Sequence, residues 1–302
     1  MRFEPESILV AFPDYKEPLF RPPSEAYSAI VQATYGCSHN KCTFCMMYKG
    51  KKFRARPLDE VLHDLDLLAA VMPKKQKLFL ADGDAMVLST GRLLKILEHA
   101  RQVFPSLKRT AVYANPSNLL QKSENELLSL QRAGLKMVYL GLESGDDLVL
   151  KTIQKGATRD EIVEAGKKAV RAGMLLSVTV LLGLGGRERS VKHATATARA
   201  LTDMAPHYAS ALTLMLKDYE KEFAERCRPW TRLDPMETLM ELKTLIQGIN
   251  STGMVFRTNH ASNYLPLKGI LSEDRDRLLA ILNEAMSDRS GKYLRPEWAR
   301  GL

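Results

Sequence analysis

Short apolar runs alternate with longer amphipathic stretches through the middle of the chain. Six runs rich in β-branched and aliphatic residues predict strands at 30–33, 77–80, 109–113, 137–140, 175–182 and 209–216. Between them, apolar residues recur with helical spacing, which predicts helices at 58–71, 90–103, 124–133, 159–172 and 190–204. This order is typical of repeated β-α units that build a parallel sheet.

The number of β-α units predicts how the sheet closes. A complete eight-unit barrel needs about 250 residues, so six units in residues 26–216 predict an α/β fold with a partial (β/α)6 TIM-like barrel. A doubly wound open sheet is the alternative, but it usually has a Gly-rich turn after its first strand. Residues 217–302 predict helices around 235–250 and 274–286, which we interpret as a mostly helical C-terminal appendage, and residues 1–25 as an N-terminal extension.

Composition and charge narrow the class of protein. The 302 residues are 45% hydrophobic and 26% charged, which is typical of a globular chain with a sizeable core. No apolar run approaches the roughly 20 residues of a membrane span, so we expect a cytoplasmic protein with no membrane partner. The net charge of +9 suits an anionic substrate, RNA or solubility alone. The basic stretch 49–56 is either a solvated loop or an anion-holding segment beside the cysteines.

The cysteines supply the strongest candidate chemistry. Three of the four lie within nine positions, Cys37, Cys42 and Cys45, in the loop after the first predicted strand. Thiolates favour iron-sulfur clusters, zinc and copper(I), and three thiolates on a four-iron cluster would leave one iron open. A zinc site with His39 or a distant residue as fourth ligand is the alternative. Cys227 stands alone far along the chain, and we interpret it as a buried thiol rather than a ligand.

This loop, with the β-α units behind it, resembles the radical S-adenosylmethionine (SAM) superfamily. Phe44 stands just before the last cysteine, as an aromatic residue does in that superfamily. The usual spacing there is three residues and then two, whereas four residues separate Cys37 from Cys42, which leaves the subfamily open. The resemblance implies a 4Fe-4S cluster on the three cysteines, SAM on the fourth iron, and a one-electron reductant such as flavodoxin or ferredoxin. It also implies a 5′-deoxyadenosyl radical that abstracts hydrogen from a substrate.

Two further segments resemble motifs that contact SAM in this superfamily. Asp82, Gly83 and Asp84 follow the second predicted strand, where the superfamily carries a Gly-Gly-Glu-like motif that receives the SAM amino group. Acceptors suit an ammonium group, which only donates. Asn115 follows the third strand, and the resemblance implies contact with the SAM carboxylate or ribose. A turn followed by a helix start is the alternative interpretation of Asn115.

The fourth and fifth strands end in segments that resemble one class of the superfamily. That class includes MiaB-like methylthiotransferases, Elp3-like proteins and oxygen-independent coproporphyrinogen oxidases. The resemblance implies that Glu143 and Ser144 face SAM, with Glu143 accepting from the ribose hydroxyls. Gly183 belongs to a glycine-bearing turn that would lie beside the adenine.

The substrate is the least determined part of the prediction. Residues 256–269 form a polar loop in which His260, Asn259 and Asn263 are candidate substrate contacts, although a turn whose amides satisfy backbone groups is the alternative. The four cysteines are too few for a second cluster. A small molecule, an RNA or a peptide therefore remain open as substrates. The alternative function is a non-catalytic iron-sulfur or zinc protein that acts as electron carrier, sensor or scaffold.

Overall fold

A computed structural model describes residues 12–288 and 290–301. Its strands, in chain order, are β1 Ala29–Gln32, β2 Thr34–Tyr35, β3 Arg54–Ala55, β4 Lys77–Ala81, β5 Arg109–Ala114, β6 Leu135–Glu143, β7 Leu175–Leu182, β8 Tyr208–Thr213, β9 Val255–Arg257 and β10 Lys268–Ile270. Its α-helices are α1 Leu58–Val71, α2 Thr90–Val103, α3 Pro116–Gln121, α4 Glu124–Arg132, α5 Asp147–Thr152, α6 Arg159–Arg171, α7 Gly186–Met204, α8 Glu220–Arg226, α9 Pro235–Gly248 and α10 Leu271–Ser287.

One large sheet organises the molecule. Its strand order is β1-β4-β5-β6-β7-β8-β9-β10, and the small hairpin of β2 and β3 forms a second sheet. Every neighbouring pair from β1 to β9 is parallel, and only β10 runs antiparallel to its neighbour. The predicted α/β class is therefore confirmed, and each of the six predicted strands overlaps a strand of the large sheet.

The two faces of the large sheet pack differently. On the outer face, apolar side chains such as Leu140, Val178 and Phe256 pack with the helices in the main core. On the inner face, Phe79 and Tyr139 belong to a smaller, separate cluster. Successive strand residues point to opposite faces, so this division assigns each side chain of β6–β9 to the helices or to the barrel interior.

The N-terminal segment closes the end of the barrel at which the parallel strands begin. The Tyr139 hydroxyl donates to Glu25 Oε1 at 2.6 Å, and Arg109 forms an ion pair with the same buried carboxylate. Ser24 Oγ lies 2.7 Å from the Tyr139 hydroxyl. The predicted extension 1–25 thus includes part of this closure, and its first eleven residues lie outside the described residues.

The C-terminal segment adds both helices and strands. Helix α9 begins with a capping box, in which Asp234 accepts from the backbone N–H of Glu237 while the Glu237 carboxylate accepts from that of Asp234. The short strands β9 and β10 extend the large sheet, a feature that the sequence pattern did not predict. In the described residues, none of the helices combines the length and apolar character needed to cross a membrane.

Candidate active site

The cysteine loop joins β2 to β3 beside the C-terminal end of β1. Gly36 takes a φ of +70°, and a Cβ there would lie 2.7 Å from the Lys51 carbonyl oxygen, so a glycine is needed where the loop closes on itself. Cys37, Cys42 and Cys45 are free and partly buried. Burial raises the pKa of Cys42 to about 12 and raises that of Cys45 as well.

Asp82 fixes the near side of this loop. Its buried carboxylate accepts from the backbone N–H of Gly36 at 2.9 Å and from Gln32 Nε2 at 3.1 Å. Lys51 Nζ, also buried, lies 2.6 Å from Asp82 Oδ2 and donates to the Pro18 carbonyl at 2.9 Å. Lys51 therefore joins the cysteine loop, the turn after β4 and the N-terminal segment.

Asp84 fixes a second point of the loop. Its carboxylate accepts from Asn115 Nδ2 at 2.8 Å, from Asn118 Nδ2 at 2.6 Å and from the Ser38 hydroxyl. Burial raises the pKa of Asp84 to about 6, although these hydrogen bonds oppose the rise. Asn115 Nδ2 also lies 3.6 Å from Cys37 Sγ, within the range of an N–H···S hydrogen bond. Asp84 therefore orients the Asn115 amide towards Cys37, a candidate cluster ligand.

Gly83 makes room for an aromatic ring. A Cβ at this position would lie 2.9 Å from Tyr48 Cδ2 and 3.2 Å from Cys37 Cβ. The Tyr48 ring, from the cysteine loop, therefore packs directly on the turn after β4, and it meets Phe20 edge to face at 5.5 Å. A larger residue at position 83 would displace the ring or the loop.

Glu143 pairs with a buried lysine that the sequence analysis missed. Lys155 Nζ donates to Glu143 Oε1 at 3.0 Å, and both side chains are almost fully buried. A Cβ at Gly141 would lie 3.0 Å from Lys155 Nζ, so this glycine leaves space for the pair. The ammonium is near enough to Cys42 and Cys45 to lower their thiol pKa values, although burial outweighs it. A buried carboxylate needs a cation partner, but the burial of Glu143 is evident only in the structure, so the sequence carried no signal for Lys155.

The segment after α5 holds the far side of the cysteine loop. The Thr43 backbone N–H donates to the Ile153 carbonyl at 2.9 Å, and His39 Nε2 lies 2.7 Å from the Gln154 carbonyl. Phe44 is partly buried and packs against the main core. Cys227 is buried with its Sγ 3.8 Å from Thr43 Oγ1, so this thiol lies next to the loop.

Buried hydrogen bonds of His193 link the turn after β6 to the end of β7. Ser144 Oγ lies 2.7 Å from His193 Nδ1, and His193 Nε2 lies 3.0 Å from the Leu181 carbonyl oxygen. Glu241 Oε1 lies 3.6 Å from the same nitrogen, beyond hydrogen-bond distance. The same Glu241 oxygen accepts from the Gly183 backbone N–H at 2.7 Å, and Trp230 Nε1 donates to the Gly183 carbonyl at 3.1 Å. Both backbone groups of Gly183 are therefore bound by the C-terminal segment.

The predicted polar loop 256–269 includes residues of β9 and β10, and only residues 258–267 form a loop, which lies at the end of β8. Asn263 is buried, and its amide bonds the Ala211 carbonyl at 2.8 Å and the Thr213 hydroxyl at 2.9 Å, which is a structural role. His260 Nδ1 lies 2.9 Å from Ser262 Oγ, and burial lowers the pKa of His260. Asn259 is exposed.

A cavity of about 220 Å³ opens beside this loop. Gly183 and Thr213 line it from the strand ends, and Tyr264 and Trp230 line it from the C-terminal segment. His260 and Asn259 are not among its lining residues, so the structure does not bring these two together with the turn after β7.

The donor set fits a four-iron cluster. Among the residues that the structure describes, no three His, Cys, Asp or Glu side chains surround one point suited to a single metal ion. A cluster places its thiolates on separate irons, so its ligands stand further apart than those of one zinc ion. The three thiols share the loop between β2 and β3, and the charges of Cys45 and Cys37 are minor causes of the raised pKa of Cys42.

Comparison with known proteins identifies the family of this chain. The family model of the radical SAM superfamily matches residues 31–201, more than half of the chain. Over 168 residues the chain is 26% identical to an uncharacterized methyltransferase of Pyrococcus horikoshii, covering 55% of this chain and 35% of that protein. Over 184 residues it is 27% identical to the heme chaperone HemW of Bacillus subtilis, covering 57% and 47% respectively. The matches thus span about a third to a half of these relatives.

Solved structures with low sequence identity share the fold. Coproporphyrinogen III oxidase HemN from Escherichia coli, itself a radical SAM enzyme, superposes with a TM-score of 0.55 at 14% identity, covering 73% of this chain and 51% of that one. Methylornithine synthase PylB superposes with a TM-score of 0.51 at 13% identity, covering 74% and 63% respectively. Parallel strands with a cysteine loop at their C-terminal ends define the class, and the chain belongs to the radical SAM superfamily. This membership agrees with the enzyme class, the 4Fe-4S cluster and the SAM cofactor that the sequence predicted.

Proposed function

We propose that this enzyme cleaves SAM reductively at a cluster held by Cys37, Cys42 and Cys45 and abstracts hydrogen from a substrate. When bound, the cluster would supply the electron that breaks a carbon-sulfur bond of SAM and so releases the 5′-deoxyadenosyl radical. The observation that carries the proposal is the convergence on one loop of side chains from the ends of three strands. Asp82, Asn115 and Glu143 follow or end β4, β5 and β6, and each contacts the loop or lies beside its cysteines.

We propose that the Glu143–Lys155 pair binds two polar groups of SAM, its carboxylate and its ribose. The Lys155 ammonium is the buried cation beside Cys42 and Cys45, and it would attract the SAM carboxylate. The bond to Lys155 engages Glu143 Oε1 and leaves Oε2 for a ribose hydroxyl. Because their pair is preformed and buried, these two charges need little reorganisation when a ligand binds.

The turn 82–84 remains the proposed site of the SAM amino group. The carboxylates of Asp82 and Asp84 already hold the cysteine loop, Asn115 and Asn118. The backbone carbonyl groups of the turn are therefore the acceptors that we assign to the ammonium. We assign the Asn115 amide the role of N–H donor to Cys37 Sγ. Its contact with SAM stays a prediction.

The C-terminal segment is proposed to hold the SAM turns and to face the substrate. Glu241 and Trp230 bind the backbone of Gly183 from that segment. His193, bonded to Ser144 and to the Leu181 carbonyl, ties the turn after β6 to the end of β7, which would keep ribose and adenine contacts in register. We accordingly assign residues 26–216 to the SAM-binding barrel and residues 217–302 to the substrate side.

The partners belong to the same proposal. The substrate would be a small molecule, an RNA or a peptide, and the electron donor a flavodoxin-like or ferredoxin-like protein. The free cysteines agree with a reducing compartment such as the cytoplasm.

Cluster loading of matched variants tests the ligand assignment. Anaerobic reconstitution of the full chain should give about four irons per chain. Cys42→Ala should lose the cluster absorbance and the iron, whereas Cys227→Ala, which removes a buried thiol beside the same loop, should keep both. Loss of the cluster in Cys227→Ala would overturn the three-ligand assignment, and stoichiometric zinc in place of iron would favour a non-catalytic metal protein.

A further inference from the structure

A row of polar residues crosses the inner wall of the barrel. Parallel pairing places Thr179 of β7 beside Ser210 of β8, and Ser210 beside Arg257 of β9. Their sequence neighbours, such as Val178 and Phe256, pack in the helix-side core, so the row itself points into the barrel. All three residues are only partly buried. The interior therefore offers two hydroxyls and a guanidinium to a ligand.

No acidic side chain in the described part of the chain forms an ion pair with Arg257, in contrast to two other cations of the barrel. Lys155 pairs with Glu143, and Arg109 pairs with Glu25. The Arg257 guanidinium lies over the Tyr208 ring, 5.4 Å from its centroid, and its buried Nε has no hydrogen-bond partner within residues 12–288 and 290–301. An unpaired buried donor is unfavourable unless a ligand supplies the acceptor.

A second cation increases the positive charge of this wall. Lys268, an exposed residue of the edge strand β10, stands directly opposite Arg257 in the antiparallel pair. Residues directly opposite in such a pair share a face, and like charges there repel each other. A bound anion between or beside them would remove that repulsion.

The polar row begins beside the proposed SAM site. Gly141 of β6 is the neighbour of Thr179 in the sheet. The space above Gly141 holds the Glu143–Lys155 pair, because a Cβ at Gly141 would lie 3.0 Å from Lys155 Nζ. A ligand bound to this row would therefore lie in the barrel interior, next to Glu143 and Lys155, the groups that we assign to SAM.

We propose that Arg257, Ser210 and Thr179 form a binding site for an anionic group of the substrate, either a carboxylate or a phosphate. A guanidinium matches both groups with paired N–H donors, and the two hydroxyls add donors at the same level of the barrel. The assignment of the anion to the substrate rests on the proposed function. The binding of an anion at this site does not depend on that function.

Titration calorimetry of the cluster-loaded full chain with inorganic phosphate, and separately with succinate, tests this site. At least one probe should bind saturably to the wild type, with or without saturating SAM. Arg257→Gln should weaken it about tenfold or more, because a hydrogen bond to a charged group contributes on that order. Ser210→Ala should weaken it less. The matched control is Arg171→Gln, which changes an exposed arginine on α6 that is paired with Glu164, and it should bind as the wild type does.

Three results would overturn the proposal. The first is that neither probe binds the wild type saturably. The second is that Arg257→Gln binds the probe as tightly as the wild type does and has an unchanged circular dichroism spectrum. The third is that the probe no longer binds when SAM is present. The last would mean that the row binds the SAM carboxylate instead. Release of 5′-deoxyadenosine by the wild type is measured separately, so failure of SAM cleavage refutes the proposed function without deciding the anion site.

Discussion

Replacing Lys51 by Met isolates the ion pair that fixes the cysteine loop. The change keeps the apolar stem and removes the ammonium that lies 2.6 Å from Asp82 Oδ2, where the two side chains are 2% and 0% exposed. Asp82 would keep its bonds from Gln32 and Gly36 but would carry a buried charge without a counter-ion. Breaking a buried pair in this way costs about 3–5 kcal/mol. We therefore expect Lys51→Met to lower the free energy of unfolding by that amount.

Urea unfolding of the cluster-free chain, followed by circular dichroism, measures this loss. Lys52→Met is the matched control, because Lys52 is the exposed neighbour and a surface change should stay within about 0.5 kcal/mol. Lys51→Met combined with Asp82→Asn should recover part of the loss, since the uncompensated charge is gone. A loss below about 1 kcal/mol in Lys51→Met, or no recovery in the double variant, would show that Lys51 does not stabilise a buried Asp82 charge.

Three further changes test other contacts of the site. Asn115→Leu removes the N–H donor to Cys37 Sγ, and it should therefore lower the midpoint potential of the loaded cluster. An EPR-monitored redox titration measures this shift, in which about 59 mV corresponds to a tenfold change in a one-electron equilibrium. An unchanged potential would count against the contact. Gly83→Ala should cost about 1–3 kcal/mol in urea because it crowds Tyr48, and Tyr48→Ala in the same chain should relieve the crowding. Burial raises the pKa of Glu241, so folding favours its protonated form. As pH rises above 4.5, the stability of the wild type should fall relative to Glu241→Gln, and parallel pH profiles would contradict this sign.

The regular part of the barrel could be predicted from sequence because its local signals agree with its packing. The bounds predicted for helices 58–71 and 90–103 and for strand 175–182 equal those of α1, α2 and β7. Each combines a clear hydrophobic period with length sufficient to bury one face. The strands β9 and β10 have three residues each, too few for a period, and only their pairing with β8 and each other makes them strands.

Partners in the site could not be predicted where they depend on tertiary approach. The sequence suggested Asp82, Asp84 and Glu143 as ligand contacts, but it gave no sign that Lys51 and Lys155 would pair with two of them. Each lysine reaches its carboxylate only because a loop folds back on a strand end. Asn263 shows the same limit, since its polar loop indicated a substrate contact and its amide is instead engaged by β8.

Release of 5′-deoxyadenosine from SAM tests the central claim most directly. The full chain, reconstituted anaerobically with iron and sulfide and reduced with dithionite, is incubated with SAM, and the nucleoside is quantified by chromatography. We expect 5′-deoxyadenosine and methionine in equal amounts from the wild type and neither from Cys42→Ala. A wild-type chain that holds about four irons and binds SAM but forms no 5′-deoxyadenosine would contradict it.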